Sequence, residues 1–228
     1  MKKIFCIALV LFAFTGVFAQ EKTTAQVEFD AVYQNSVGKW KVKSHRMIWT
    51  TQSRVEGRPQ TDYSSKTTTE FAPPDASRST YENSFGSKNS KNETIRIGGV
   101  IYTRNNGEAW KEGSFEAKSQ PESKSKSVDK QVDSQVEYKF LGSEKFNNQT
   151  ANVYAKIAVT KTINPATNKE TLSTVTTKYW FGEDGMILKS DMEMENRTGE
   201  MIHHSRVTQI WESDPNIKIE APTLSQIK

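Results

Sequence analysis

From residue 42 onward, apolar and polar residues alternate along most of the chain, which is the pattern of β-strands with one face in water. Val153, Ile157 and Val159, for example, fall on one side of such a stretch, opposite Asn152 and Lys156. Tight-turn signals separate the stretches, since Gly, Asn and Asp accept positive φ; they include Gly98-Gly99, Asn105-Asn106-Gly107 and Asp184-Gly185. The pattern restricts the chain to a mainly β, antiparallel fold.

The alternating stretches predict about ten antiparallel strands, joined mostly by short turns. The segment Pro73-Pro74-Asp75 is expected at an edge or a corner, because proline cannot donate to a strand ladder. The two halves of the chain, on either side of residues 113–135, could form two sheets or one continuous sheet. The predicted strands are Val42–Gln52, Asp62–Phe71, Ser77–Ser84, Glu93–Ile97, Val100–Arg104, Glu108–Lys111, Val136–Leu141, Thr150–Thr160, Thr171–Phe181, Met186–Glu195 and Glu200–Trp211.

One helix is predicted before the first strand. Apolar residues from Ala25 to Trp40 recur at helical spacing, so they share one face. Thr23, followed three residues later by Gln26, resembles a capping box at the start of a helix. Gly38 is a plausible stop signal near its end.

The first 19 residues have the pattern of a cleaved signal peptide. Lys2-Lys3 precedes the apolar run Ile4–Phe14, and Val17-Phe18-Ala19 supplies small residues at the −3 and −1 positions of a cleavage site. The run is about half as long as a bilayer span requires. We therefore expect cleavage near Ala19, export to the bacterial periplasm and no permanent membrane anchor, with residues 20–228 forming a single domain.

Composition excludes several classes of protein. The single cysteine, Cys6, cannot build a disulfide framework, a zinc finger or an iron–sulfur site. The net charge of +4 is small and scattered, so nucleic acid is not expected as a partner. The segment 113–135 is rich in Lys, Ser, Glu and Gln without apolar periodicity. It is either a solvated loop, polar and flexible, or a mobile flap over a cleft.

No motif in the sequence indicates catalysis. His203 and His204 are adjacent, so on a strand they point to opposite faces and do not easily share a metal with each other or with His45. Asp191, Glu193 and Glu195 look like the wet face of a strand whose other face is apolar. We expect no enzymatic activity, no catalytic residues, no metal site and no cofactor.

Aromatic and methionine side chains leave two interpretations open. The five tryptophans are spread over the whole chain. They can be core anchors of one sheet, or they can line a hydrophobic cleft in which methionine supplies an adaptable wall.

Several short segments of the chain match the ordered motifs of one known family. They are Phe71–Asp75, Glu93–Tyr102, Asn106–Trp110, Tyr138–Glu144, Ala151–Tyr154, Tyr179–Ser190 and Ile217–Pro222. Each motif is short, but together they cover most of residues 42–222 in the correct order. In this order they resemble the motifs of the LolA-like and LppX/LprG-like periplasmic carriers of lipoproteins and lipids.

This resemblance implies an open, strongly curved antiparallel half-barrel wrapped around the N-terminal helix and loops. It also implies a non-enzymatic binding protein that holds a lipid, a fatty acyl chain or a lipoprotein in its concave apolar face for reversible handover. We expect a monomer. The candidate cleft residues are Trp49, Phe71, Tyr81, Ile95, Ile97, Tyr102, Val153, Ile157, Met186, Leu188, Met192 and Met194.

Two alternatives remain open from the sequence. One is a sensor or interaction module of the cell envelope with an RseB-like fold, which would contact an envelope protein and carry no cargo. The other is a soluble β-domain without a pocket. An apolar cavity on the inner sheet face favours the carrier, whereas an inner face filled by the Ala25–Trp40 helix favours the other two.

Overall fold

The computed structural model describes residues 23–114, 130–165 and 167–227. Within these residues, one helix, α1, is followed by eleven strands, against about ten expected. The proposed signal peptide and most of the segment 113–135 lie outside the described residues. The elements are α1 Thr24–Trp40, β1 His45–Val55, β2 Tyr63–Ala72, β3 Ala76–Phe85, β4 Lys88–Ile97, β5 Val100–Asn105, β6 Lys111–Ser114, β7 Lys130–Phe146, β8 Gln149–Asn164, β9 Lys169–Gly182, β10 Ile187–Thr198 and β11 Met201–Ser213.

All eleven strands belong to one continuous sheet, in the order β6-β5-β4-β3-β2-β1-β11-β10-β9-β8-β7. Each half of the chain is a meander, and the two halves meet where β1 pairs antiparallel with β11, from His45 opposite Ser213 to Val55 opposite His203. This pairing decides between the one-sheet and two-sheet alternatives. The sheet is open, because β6 and β7 lie at its two ends.

The predicted helix is confirmed, and so is its start. Thr23 is the N-cap, and its hydroxyl accepts a hydrogen bond of 3.2 Å from the backbone nitrogen of Gln26. The predicted stop at Gly38 is wrong, because α1 continues to Trp40. Trp40 is buried, and its indole Nε1 donates to the carbonyl of Ile187 at 3.1 Å. This tertiary contact stabilises the two helical residues beyond the glycine.

Several strands extend beyond their predicted bounds. β4 begins at Lys88 rather than Glu93, and β7 begins at Lys130 rather than Val136. The added residues are mostly polar and lack alternation, but each except Val132, which lies at a register shift, has a partner on the neighbouring strand. Backbone pairing therefore extends these strands where the side chains gave no signal. The predicted loop is shortened at both ends, since Gly113 and Ser114 belong to β6 and residues 130–135 belong to β7.

Cross-strand partners lie on the same face of a sheet, so the register assigns every strand residue to one of two faces. We call the face that α1 covers the helix face, and the other the opposite face. On the helix face, a core forms around Phe29 of α1, which lies 4.9 Å from Tyr179 and 5.4 Å from Tyr138 between ring centroids. The buried members of this core are Phe29, Trp40, Tyr154, Phe181, Met186 and Ile187.

A second, smaller core lies on the opposite face. It contains Ala151, Val153, Trp180 and Leu188. Leu188 reaches this face because the β9–β10 register shifts between Ile187 and Lys189. The sheet therefore carries apolar side chains on both faces of its C-terminal half. In the described parts of the chain, no helix is long and apolar enough to cross a membrane.

Candidate functional site

The C-terminal half of α1 is held against the start of β10 by two side chains. Ser36, which is fully buried, accepts a hydrogen bond of 2.7 Å from the backbone nitrogen of Ile187. Trp40 donates to the carbonyl of the same residue. Ile187 precedes the register shift in β10. The two contacts fix the position of α1 on the helix face.

A cavity of about 480 Å³ opens beside this anchored end of α1. We call it the helix-end cavity. It lies between α1, the turn Pro73-Pro74-Asp75, and strands β1, β2, β10 and β11. Its volume falls in the range of about 300–1,000 Å³ that is typical of ligand sites. The apolar and aromatic residues of its wall are Tyr33, Val37, Trp40, His45, Phe71, Pro73, Pro74, Ile187 and Trp211.

His45 is the buried polar group in this wall. Its ring stacks on Phe71 with the centroids 4.5 Å apart, and it lies 4.8 Å from the ring of Trp40. Burial lowers the pKa of His45, although the hydrogen bond to the carbonyl of Lys43 acts in the opposite direction. Nδ1 lies 2.8 Å from that carbonyl oxygen, so Nδ1 carries a proton and donates it. Burial therefore disfavours the charged imidazole, and His45 packs as part of an aromatic wall.

Charged groups line only the rim of the cavity. Lys41 and Arg96 lie there with Asp75, and both cations are exposed. An apolar chain can therefore enter the cavity without burying a charge, while a polar headgroup stays near the rim.

Apolar side chains continue along the helix face beyond the end of α1. Met47 pairs with Trp211 across the β1–β11 seam, and Met192 pairs with Val207. Trp49 is 40% exposed, which is high for a tryptophan in a sheet interior. We call Met47, Trp49, Met192, Met194 and Val207 the uncovered strip, because α1 does not reach them.

The opposite face is dominated by charged pairs. Glu70 accepts hydrogen bonds of 2.8 Å from Arg46 and from Nε of Arg78. Burial acts to raise the pKa of Glu70, but the two guanidinium groups outweigh it and hold this pKa below the ordinary value. Burial likewise acts to raise the pKa of Asp191, but Arg206, together with a hydrogen bond from Thr208, holds this pKa below the ordinary value.

A larger cavity of about 840 Å³ lies mainly on the opposite face. Its walls include Arg54, Asp62, Glu193, Glu195 and Arg206. Since both signs of charge line it, an acyl chain would desolvate charged groups there without compensation. The smaller helix-end cavity is therefore the better candidate for an apolar ligand.

The twelve predicted cleft residues do not line a single surface. Phe71 lines the helix-end cavity, Trp49, Met192 and Met194 belong to the uncovered strip, and Tyr81 lies further along the same face. Met186 is buried in the core around Phe29. The register places the remaining six on the opposite face: Ile95, Ile97, Tyr102, Val153, Ile157 and Leu188.

Trp40, His45, Ile187 and Trp211 were not among the predicted cleft residues. Trp40 and Trp211 carried a signal, since each is a large aromatic on an apolar position of a predicted element. His45 carried none, because its apolar role follows from burial between two rings. Their meeting requires the β1–β11 pairing and the docking of α1, which bring together residues that are distant in the sequence.

The polar candidates occupy separate places. His203 Nε2 lies 2.6 Å from the hydroxyl of Ser53, and His204 Nε2 lies 2.8 Å from Glu56. The two rings point to opposite faces, as predicted. Among the described residues, no group of three or more His, Cys, Asp or Glu side chains is arranged to hold a metal ion.

Several solved structures match this chain over most of its length. LprF from Mycobacterium bovis is 10% identical, with 86% of this chain and 98% of that chain covered and a TM-score of 0.43. The lipoprotein LppX from Mycobacterium tuberculosis is 12% identical, with 83% and 97% covered and a TM-score of 0.41. A LolA superfamily protein from Nitrosomonas europaea is 6% identical, with 85% and 94% covered and a TM-score of 0.29.

The chain resembles these structures over most of its length. This is the resemblance that the sequence motifs indicated. No protein-family model matches the sequence, and no curated protein matches it.

Proposed function

We propose that the protein binds a single acyl chain, of a lipid or of a lipoprotein, in the helix-end cavity and along the uncovered strip. The observation that carries this proposal is an apolar cavity of about 480 Å³ whose wall combines α1 with both halves of the sheet. The charged rim supports an orientation with the chain inside and the polar headgroup outside. The protein acts without catalysis and without a cofactor.

Reversible binding follows from the energy of burying such a chain. Each buried CH₂ contributes about 0.8 kcal/mol, and one chain of about 14–16 carbons holds a molecule to a membrane only marginally. A protein that offers a comparable apolar surface can therefore take up a chain and release it again. This suits a carrier that moves the acyl chain from a donor to an acceptor in the bacterial periplasm. The protein itself is exported there, with cleavage near Ala19.

In this proposal the open sheet holds the ligand on its helix face, beside α1. The ligand then contacts Phe71 in the cavity and Trp49, Met192 and Met194 on the strip. Tyr81 lies at the far end of the same face. The six predicted residues on the opposite face take no part, because a ligand on the helix face cannot reach them.

The test is to look for the ligand and then to measure binding. Purified protein is extracted with organic solvent and the extract is analysed by mass spectrometry, and the stripped protein is titrated with a fluorescent fatty-acid probe. We expect a co-purified acylated molecule and saturable probe binding at one site. The absence of both would refute the carrier function.

A second candidate is a sensor or interaction module without cargo. The observation that favours it is the aromatic core around Phe29, where Tyr138, Tyr154, Tyr179 and Phe181 already fill the helix face over β7–β9. A face closed by its own side chains presents a surface to an envelope protein. Cross-linking in intact cells distinguishes this candidate, because it requires a protein partner and no bound lipid.

A further inference from the structure

The two edges of the sheet differ in length and in cover. At one edge, β6 has only four residues. The C-terminal segment lies beside Trp110, the residue just before β6. The backbone nitrogen of Trp110 donates to the carbonyl of Gln226 at 2.9 Å, and Trp110 forms a parallel bridge with Ile227. The other edge is β7, with 17 residues. None of the described residues pairs with its outer side.

The middle of the β7 edge is exposed and partly apolar. Val136 is 46% exposed and Phe140 is 50% exposed, and both lie on the helix face with Tyr138 between them. Glu137 and Lys139 alternate with them on the opposite face. β7 contains no proline. A long exposed edge is a template for pairing with another strand, and here the regularly paired stretch lies between the register shifts at Gln131/Asp133 and Phe140/Gly142.

The sequence of this segment is complementary to itself under a two-fold rotation. If Tyr138 lies on the axis of an antiparallel pair of β7 strands, Glu137 lies opposite Lys139 of the partner subunit, twice. Val136 then lies opposite Phe140 of the partner subunit, also twice. Opposite charges and apolar pairs in these cross-strand positions stabilise a sheet.

Neighbouring registers lack this complementarity. A one-residue slip would place helix-face residues opposite residues of the other face. If the two-fold axis lies at Glu137, this residue is opposite Glu137 of the partner subunit. If the axis lies at Lys139, this residue is opposite Lys139 of the partner subunit. Like charges directly opposite each other are destabilising. Of these three axes, only the one at Tyr138 pairs unlike charges.

We infer that β7 pairs with β7 of a second copy of this chain, in antiparallel register about a two-fold axis at Tyr138, to form a dimer with one continuous sheet. This differs from the monomer expected from the sequence. It does not depend on a bound ligand. The described residues place no other element along the outer side of β7, so the two strands can meet directly.

The first experiment exchanges the charges. In the full chain, Glu137→Lys or Lys139→Glu alone places like charges opposite each other, and we expect the dimer dissociation constant to rise about tenfold. The double variant Glu137→Lys/Lys139→Glu restores opposite pairs and is expected to restore the dimer. Sedimentation equilibrium measures the constant. The two side chains are 59% and 48% exposed, so their exchange does not disturb the core.

The second experiment reports the register directly. On a Cys6→Ser background, Val136→Cys and Phe140→Cys chains are prepared separately and then mixed under mild oxidation. Directly opposite Cα atoms are about 4.5–5.5 Å apart, within reach of a disulfide, which spans about 4.4–6.8 Å. We expect a covalent dimer in the mixture and none in either chain alone, since equal positions are about 14 Å apart along the strands.

Three outcomes overturn the inference. Sedimentation as a monomer at every concentration tested would exclude the pairing. A dimer that the single charge changes leave intact, or that the double variant does not restore, uses another surface. A mixture that forms no more covalent dimer than its separate components has a different register.

Discussion

Ser36 and Ile187 are joined by a buried hydrogen bond of 2.7 Å, although 151 residues separate them. The hydroxyl of Ser36 accepts from the backbone nitrogen of Ile187 at the point where β10 shifts its register. The side chain of Ser36 is fully buried, so water does not replace it as the acceptor. The position of α1 on the sheet, and with it the wall of the helix-end cavity, depends on this contact.

Replacing Ser36 with alanine should destabilise the protein by about 1–3 kcal/mol, because the buried N–H of Ile187 loses its acceptor. Urea denaturation followed by tryptophan fluorescence measures the change. Ser143→Ala is the matched control, since the hydroxyl of Ser143 donates to Asn152 in an exposed pair. We expect the control to lie within about 0.5 kcal/mol of the unmodified protein. Equal effects of the two substitutions would contradict the structural role of Ser36.

Filling the helix-end cavity should abolish ligand binding without unfolding the protein. Val37→Trp adds a large ring from α1 into the cavity, since Val37 is part of its wall. Titration with the fluorescent fatty-acid probe is expected to show a loss of affinity of at least about tenfold, equivalent to about 1.4 kcal/mol.

Val27→Trp is the control for this substitution. Val27 lies on the same helix, is 53% exposed and is not part of the cavity wall. Probe binding by this variant should equal that of the unmodified protein. If both tryptophan variants bind the probe normally, the ligand does not occupy the helix-end cavity.

His45 should make stability dependent on pH in the mildly acidic range. Burial lowers its pKa in the folded protein below the ordinary value of 6.5. The unfolded chain then binds a proton that the folded protein rejects, so stability is full above pH 6.5 and falls as the pH drops through the folded pKa. Denaturation curves at pH values from about 7.5 to about 5 measure this loss, because this range includes the ordinary pKa of His.

His45→Phe keeps an aromatic ring against Phe71 and removes the titration. We expect the stability of this variant to change less over the same pH range. NMR titration of the imidazole in the unmodified protein gives the folded pKa independently. A folded value at or above 6.5 would contradict the burial of His45 between two rings.

Glu70 should contribute to acid unfolding at a lower pH. Arg46 and Arg78 hold its pKa below the ordinary value of 4.5 in the folded protein. Its contribution is therefore fully present above that value and is lost as the pH falls through the folded pKa. Glu70→Gln removes this component, so its stability should decline less steeply with acid than that of the unmodified protein. Identical slopes for both proteins would contradict the role assigned to the two arginines.

The local elements could be predicted because each depends on nearby residues. The capping pair Thr23 and Gln26 marked the start of α1, and apolar alternation with tight-turn residues located the strands. The bounds were less certain where strands are polar. Lys88–Asn92 and residues 130–135 are strand only because a neighbouring strand supplies hydrogen-bond partners, and no local pattern reports such a partner.

The candidate site was predicted only in part, because a cleft depends on which face each strand presents. Alternation showed that Val153 and Ile157 share a face, but not that this face lies away from α1. The twelve predicted residues therefore divided between two faces and one buried position. The register through β1 and β11, together with the shift at Leu188, decided that division.

The sequence by itself determined an antiparallel, mainly β chain with one capped helix, because alternation, turns and caps act over a few residues. Only the tertiary structure decided that the two meanders join at β1 and β11, that α1 runs past Gly38 to Trp40, and that a cavity remains beside it. Those features come from contacts between residues more than 100 positions apart, such as Ser36 with Ile187. Their geometry is set by the packing of the whole sheet.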